Sequence, residues 1–125
     1  MIPPALSEEI EQIRETGSAV EVQEAEGWFN ALFTGYPLPR GYNKAATNLL
    51  VKVPPAYPNG RPDMFWVDED VLLASGAVSR SAESIEMAVG RRWRRFSWHP
   101  KNWNPGTDNL RTYLEFINRR LAQPL

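Results

Sequence analysis

The chain has 125 residues, 42% of them hydrophobic, with five tryptophans and a formal net charge of −1. That length suits one domain able to bury about two-thirds of its unfolded surface, and the near-neutral charge gives no whole-molecule attraction to nucleic acid. There is no cysteine and one histidine, His99, so disulfides, thiolate chemistry and a structural zinc site, with its three or four Cys or His ligands, are not expected.

No apolar run approaches the roughly 20 residues needed to span a bilayer. The start, MIPPALSEEI, is not a charged segment followed by an apolar block, so no secretory signal is expected and the cytoplasm is the default compartment. Ser7 is a candidate N-cap for a first helix, with Glu8 and Glu9 at the positive end of its dipole. Leu6, Ile10 and Ile13 recur along one face until Gly17 stops the pattern.

Residues 19–24 alternate as a first strand, with Val20 and Val22 on one face, and residues 28–34 give a second across a turn at 25–27. A stiff loop, residues 36–42, leads to a third strand where Leu49, Val51 and Val53 alternate with Leu50 and Lys52. Pro54, Pro55, Pro58 and Pro62 then interrupt pairing, with Asn59-Gly60 as the turn and Tyr57 an aromatic within it. Residues 64–67 are a short apolar fourth strand. Sequential short connections predict antiparallel neighbours, hence a four-stranded meander.

Asp68, Glu69 and Asp70 read as a solvated acidic turn, because three consecutive carboxylates on a loop point in different directions and make a poor cation site. Residues 79–89 are read as one or two helical turns. Gly106 and Asp108 are expected to start a last helix whose buried stripe is Leu110, Leu114, Ile117 and Leu121, ended by Pro124.

The proline-clamped passage from the third strand to the fourth resembles the ubiquitin-conjugating (UBC) fold, in which a Tyr-Pro turn and a second proline join those strands. Trp103-Asn104-Pro105 matches the Trp-x-Pro sequence that leads into the following helix in that family. With SWHPKNWNP and the closing helix, the chain is most similar to prokaryotic UBC-like family E. The resemblance implies an α+β domain over residues 1–125, with an N-terminal helix, a four-stranded antiparallel meander and a C-terminal helix. It implies Pro55, Tyr57, Pro58, Pro62, Trp103 and Pro105 as structural motif residues. It implies as partners a ubiquitin-like or multi-ubiquitin protein, an adenylating activating enzyme and a deconjugating metalloprotease, with no cofactor. The first helix is the family's usual docking surface for the activating enzyme, which marks Glu8, Glu9 and Arg14 as partner-binding candidates.

The resemblance stops short of the catalytic set, since neither the cysteine nor the upstream His-Pro-Asn element is present. Three readings of the segment RRWRRFSWHPKNWNP (residues 91–105) remain open. The chain acts as a scaffold, as inactive conjugating variants do. Alternatively Ser97 carries a ubiquitin-like C-terminus as an oxyester with His99 as base or orienter, because a serine hydroxyl needs such activation and residues two apart in an extended segment share a side. In the third reading Arg91, Arg92, Arg94 and Arg95, interleaved with Trp93, Phe96 and Trp98, bind single-stranded nucleic acid.

Overall fold

The computed structural model describes residues 1–125. Helix α1 is Pro4–Glu15 and α2 is Leu110–Leu121; the strands are β1 Ala19–Ala25, β2 Trp28–Pro37, β3 Ala46–Val53, β4 Phe65–Asp68, β5 Ser84–Ala88 and β6 Arg91–Phe96. They form one six-stranded sheet in the order β1-β2-β3-β4-β6-β5, antiparallel throughout. The expected four-stranded meander is therefore its first two-thirds, and a hairpin extends it beyond β4.

That hairpin corrects the reading of residues 79–89 as helical turns and makes residues 91–96 a strand to which the sequence reading gave no element. Ala88 pairs with Arg91, and the two residues between them, Val89 and Gly90, have φ of 48° and 76°. Positive φ at both positions is the type I′ connection whose twist suits a two-residue hairpin. Asn-Gly or Asp-Gly would have announced it; Val-Gly does not. A β-branched residue is strained there. Val89 is held by packing on the small apolar cluster of the sheet and by its amide, which donates to Glu26 Oε1 at 2.8 Å.

Both helices pack on one sheet face. Leu6, Ile10 and Ile13 of α1, Leu49, Val51 and Val53 of β3, and Leu110, Tyr113, Ile117 and Leu121 of α2 belong to a single cluster of 22 buried residues. The opposite face buries only Leu50, Trp66, Ala88 and Trp93, with Leu32, Met64 and Val89 partly buried against them. Long side chains shield it: Lys52 lies 4.6 Å from the Trp66 ring centre and Arg91 lies 4.1 Å from that of Trp93. Leu50, read as the outward neighbour in β3, is thus buried on this second face.

The helix starts differ from expectation for identifiable reasons. Pro4, with its fixed φ, opens α1 ahead of Ser7, whose amide makes an intrahelical bond to Pro3 O at 3.0 Å, leaving Ser7 inside the helix. Asn109 rather than Gly106 or Asp108 caps α2. Its side chain accepts from the Thr112 amide at 3.0 Å while its own amide donates to Thr112 Oγ1 at 2.9 Å, a reciprocal capping box. Asp108 instead accepts from the Asn104 amide at 2.8 Å and closes the preceding turn.

The proline passage joins the layers. Tyr57 is buried, its hydroxyl donates to Glu9 Oε1 and accepts from the Leu110 amide at 2.7 Å, and Glu9 Oε1 also accepts from that amide at 2.9 Å. One phenol and one carboxylate thereby link α1, the turn and the first residue of α2. Burial, then the Glu9 carboxylate, drive the Tyr57 phenol well above its ordinary range. Trp103 Nε1 donates to Pro58 O at 2.8 Å, and Pro62 is buried. Pro55 is exposed. Positive φ falls not at Gly60 but at Met64, where φ is 58°.

Asp68, placed by sequence in a solvated turn, ends β4 with its side chain only 13% exposed. It accepts from Arg91 at 2.7 Å, Lys44 at 3.0 Å, and the Asn48 amide and side chain at 3.1 and 3.0 Å. Burial alone would raise its pKa, but these donors outweigh it and hold the carboxyl below the usual carboxylate range.

Two outcomes follow from these ties. Tyr57→Ala, deleting a buried ring and orphaning the Leu110 amide, should cost about 3–5 kcal/mol in a urea titration; a midpoint within error of the parent would refute the bracing role. A depressed folded pKa gives stability that is present above the unfolded value of about 3.9 and is lost as pH falls through the folded one. Asp68→Asn should therefore lower stability by about 3 kcal/mol near neutral pH, and the gap should narrow in acid below about pH 4. A pH-independent gap would assign the loss to packing instead.

Candidate functional site

The segment singled out by sequence divides into a strand and a loop. In β6 the side chains alternate between sheet faces. Trp93 and Phe96 are each 1% exposed, one in each core cluster. The arginines are engaged: Arg91 with Asp68, Arg92 with Glu69 at 2.9 Å, Arg95 with Glu86 at 2.7 Å, and Arg94 with the carbonyls of Glu69 and Ala82 at 3.0 and 2.7 Å. Trp93 and Phe96 therefore offer no free ring face to the arginine-aromatic platform for stacking bases that the sequence suggested. The interleaving that suggested it is strand periodicity.

Ser97 follows β6. Its amide donates to Ser81 O at 2.8 Å and its Oγ accepts from Arg95 Nε at 3.0 Å, which places the hydroxyl on the side of Arg95. His99 turns elsewhere. Its Nδ1 lies 2.8 Å from Asp63 Oδ1, and Asp63 is also paired with Arg61 at 3.1 Å. Burial would raise the Asp63 pKa, but His99 and Arg61 together hold it below the ordinary value. No hydrogen bond joins Ser97 to His99; each has another partner. Sequence reasoning missed Asp63 because it lies 36 residues before His99, and only the pairing of β4 with β6 brings the two loops together.

Residues 98–103 stand off from α2 across an open groove of about 690 Å³. Trp98, Trp103 and Phe116 give it half-buried aromatic walls, and His99, Lys101 and Arg119 are exposed along it. Ser97 is not among the lining residues. Arg120 is, although only 2% exposed. Its guanidinium sits 5.1 Å from the Phe96 ring centre and 4.8 Å from that of Trp98, and donates to Gln123 O, Arg80 O and Ser79 Oγ at 2.7, 2.8 and 3.1 Å. Its Nε is buried without a partner. Burial pulls its pKa down, Tyr42 opposes this and nearby Arg80 adds to it; a guanidinium starting above 12 nevertheless stays charged.

The three first-helix candidates part company. Glu8 and Arg14 are exposed, Arg14 pairing with Glu11 and donating to Val20 O at 2.9 Å. Glu9 faces inward, committed to Tyr57 and the Leu110 amide. Of the acidic run, Asp68 and Asp70 share Lys44 and Glu69 takes Arg92. Trp103 and Pro105 lie in the loop before α2, Trp103 bonded to the proline turn and Pro105 exposed. No helix is long and apolar enough to cross a membrane.

No curated protein and no solved structure matches the chain. A family model does, over residues 6–124, from the buried Leu6 of α1 to the proline beyond α2. That span takes in both helices, the whole sheet and the proline passage, so the chain belongs to prokaryotic E2 family E.

Proposed function

We propose that this protein is a thiol-free E2-like component of a ubiquitin-like conjugation pathway, which holds a ubiquitin-like protein and its adenylating activating enzyme together without itself carrying the modifier. The family membership implies a conjugation-related role. The observation that carries the scaffold reading is the absence of any cysteine, reinforced by the engagement of Ser97 Oγ with Arg95 away from the groove. The exposed charges Glu8 and Arg14 on α1 are the proposed contact to the activating enzyme. A multi-ubiquitin protein is one form the modifier takes, a deconjugating metalloprotease would complete the pathway, and the cytoplasm is its proposed site.

A second reading keeps Ser97 as acceptor and His99 as its base, forming an oxyester. The observation in its favour is the His99–Asp63 pair at 2.8 Å, since a carboxylate that orients one ring nitrogen leaves the other to take a proton. Its geometry requires Ser97 to leave Arg95 and meet His99 across the loop.

Titration with the activating enzyme separates these claims from their alternatives. The scaffold reading predicts a non-covalent complex whose affinity falls about tenfold on combined Glu8→Lys and Arg14→Glu reversal, mainly through association rate and with a changed salt dependence. Unchanged affinity removes α1 from the interface. In a reaction with the activating enzyme, ubiquitin-like protein and ATP, the scaffold reading predicts no adduct on denaturing gels. The oxyester reading predicts one that survives thiol, is cleaved by hydroxylamine, disappears in Ser97→Ala and forms about 10²–10⁴-fold more slowly in His99→Ala.

A further inference from the structure

We propose that the groove between residues 98–103 and α2 is a docking site for an extended acidic peptide segment of a partner protein, with carboxylates set against Lys101 and Arg119 and an apolar side chain between Trp103 and Phe116. This goes beyond the conjugation reading and does not depend on whether that partner is ubiquitin-like.

Charge is the first argument. The whole chain is −1, yet the groove gathers Lys101, Arg119 and Arg120 against one carboxylate, Asp108, which is already bonded to the Asn104 amide. Arg14, Lys44, Arg61, Arg91, Arg92 and Arg95 each have an acidic partner. Arg40, Lys52, Arg80, Arg94 and Arg111 have none, but none of these five lines the groove, whereas Lys101, Arg119 and Arg120 are gathered there without an acidic partner.

Arg120 is the second argument and is independent of the exposed pair. A buried guanidinium is ordinarily paired with a carboxylate. This one is held by two carbonyls and a hydroxyl, with Nε unsatisfied. It leaves uncompensated positive charge in the groove wall, where the low dielectric strengthens attraction to an incoming anion.

The aromatic walls decide between an acidic peptide and a nucleic acid. Base stacking needs a free ring face. Trp98 already has the Arg120 guanidinium 4.8 Å from its ring centre, and Trp103 is held by its Nε1 bond to Pro58 O and packs against Tyr57. Such walls suit an aliphatic or aromatic side chain, flanked by carboxylates that reach the exposed cations; the depletion of acid in the groove supplies the complementarity.

The test is fluorescence polarisation with a labelled decapeptide of alternating acidic residues and leucines, its Gln/Asn counterpart, and a short oligothymidylate. Combined Lys101→Glu and Arg119→Glu changes two exposed, unpaired side chains and should leave the fold intact, as checked by its urea midpoint. Arg40→Glu with Arg111→Glu gives the same net charge elsewhere. The proposal predicts saturable binding of the acidic peptide, weakened by about tenfold or more in the groove variant and by added salt, and little affected in the control variant. No saturable binding, equal binding of the neutral peptide, equal loss in both variants, or tighter binding of the oligothymidylate would each overturn it.

Discussion

The structure depends on a three-way contact in which Glu9, the Tyr57 hydroxyl and the Leu110 amide meet. Leu110 is the first residue of α2, and its amide is one of the four at a helix start that find no partner within the helix. A carboxylate at that end also meets the positive pole of the helix dipole. Glu9 therefore serves α1, the turn and α2 at once. Charge-assisted bonds in a half-buried setting are roughly twice as strong as neutral ones, and all three elements are far apart in sequence.

What this contact positions is the groove. It fixes the start of α2 relative to the proline passage, while Trp103, bonded to Pro58 O at 2.8 Å, ties the loop before α2 to the same passage. The far side of the loop is fixed by β6, which exists because the β5-β6 hairpin adds to the sheet edge. The result is an E2-like frame in which the segment leading to the Trp-x-Pro sequence emerges from a sheet strand. Ser97 leaves that strand on the side of Arg95 and His99 on the side of Asp63. A scaffold needs no alignment of these two side chains; a nucleophile and its base would.

The meander was legible because its strands carry period-2 alternation and its connections carry turn residues; the registers that set Leu49 opposite Val67 and Val20 opposite Phe33 were not. The hairpin was not. Arg91, Arg92, Arg94 and Arg95 are unusual in a strand, and their partners Asp68, Glu69 and Glu86 come from neighbouring strands and turns that no local pattern reveals. Val89-Gly90 lacks the usual residues of its turn. Ser97 and His99 were singled out by position relative to Trp103-Asn104-Pro105, and of the two only His99 lines the groove. Asp63 and Arg120 were invisible, because their roles arise from tertiary approach across 36 residues in one case and 41 in the other, Arg120 meeting Ser79. Glu9 was misread for the same reason: an acidic residue near a helix start looks like surface charge until Tyr57 is placed beside it.

The central claim is that Glu9 and Tyr57 act as one unit tying the helices together. A double-mutant cycle in urea with Glu9→Ala, Tyr57→Phe and the pair measures that directly. The account predicts a coupling of about 1–3 kcal/mol, the upper part of the roughly 0.5–3 kcal/mol span for residues sharing one hydrogen-bond network. Additivity within about 0.5 kcal/mol, with Glu9→Ala close to the parent in stability, would contradict it and return Glu9 to the exposed docking surface.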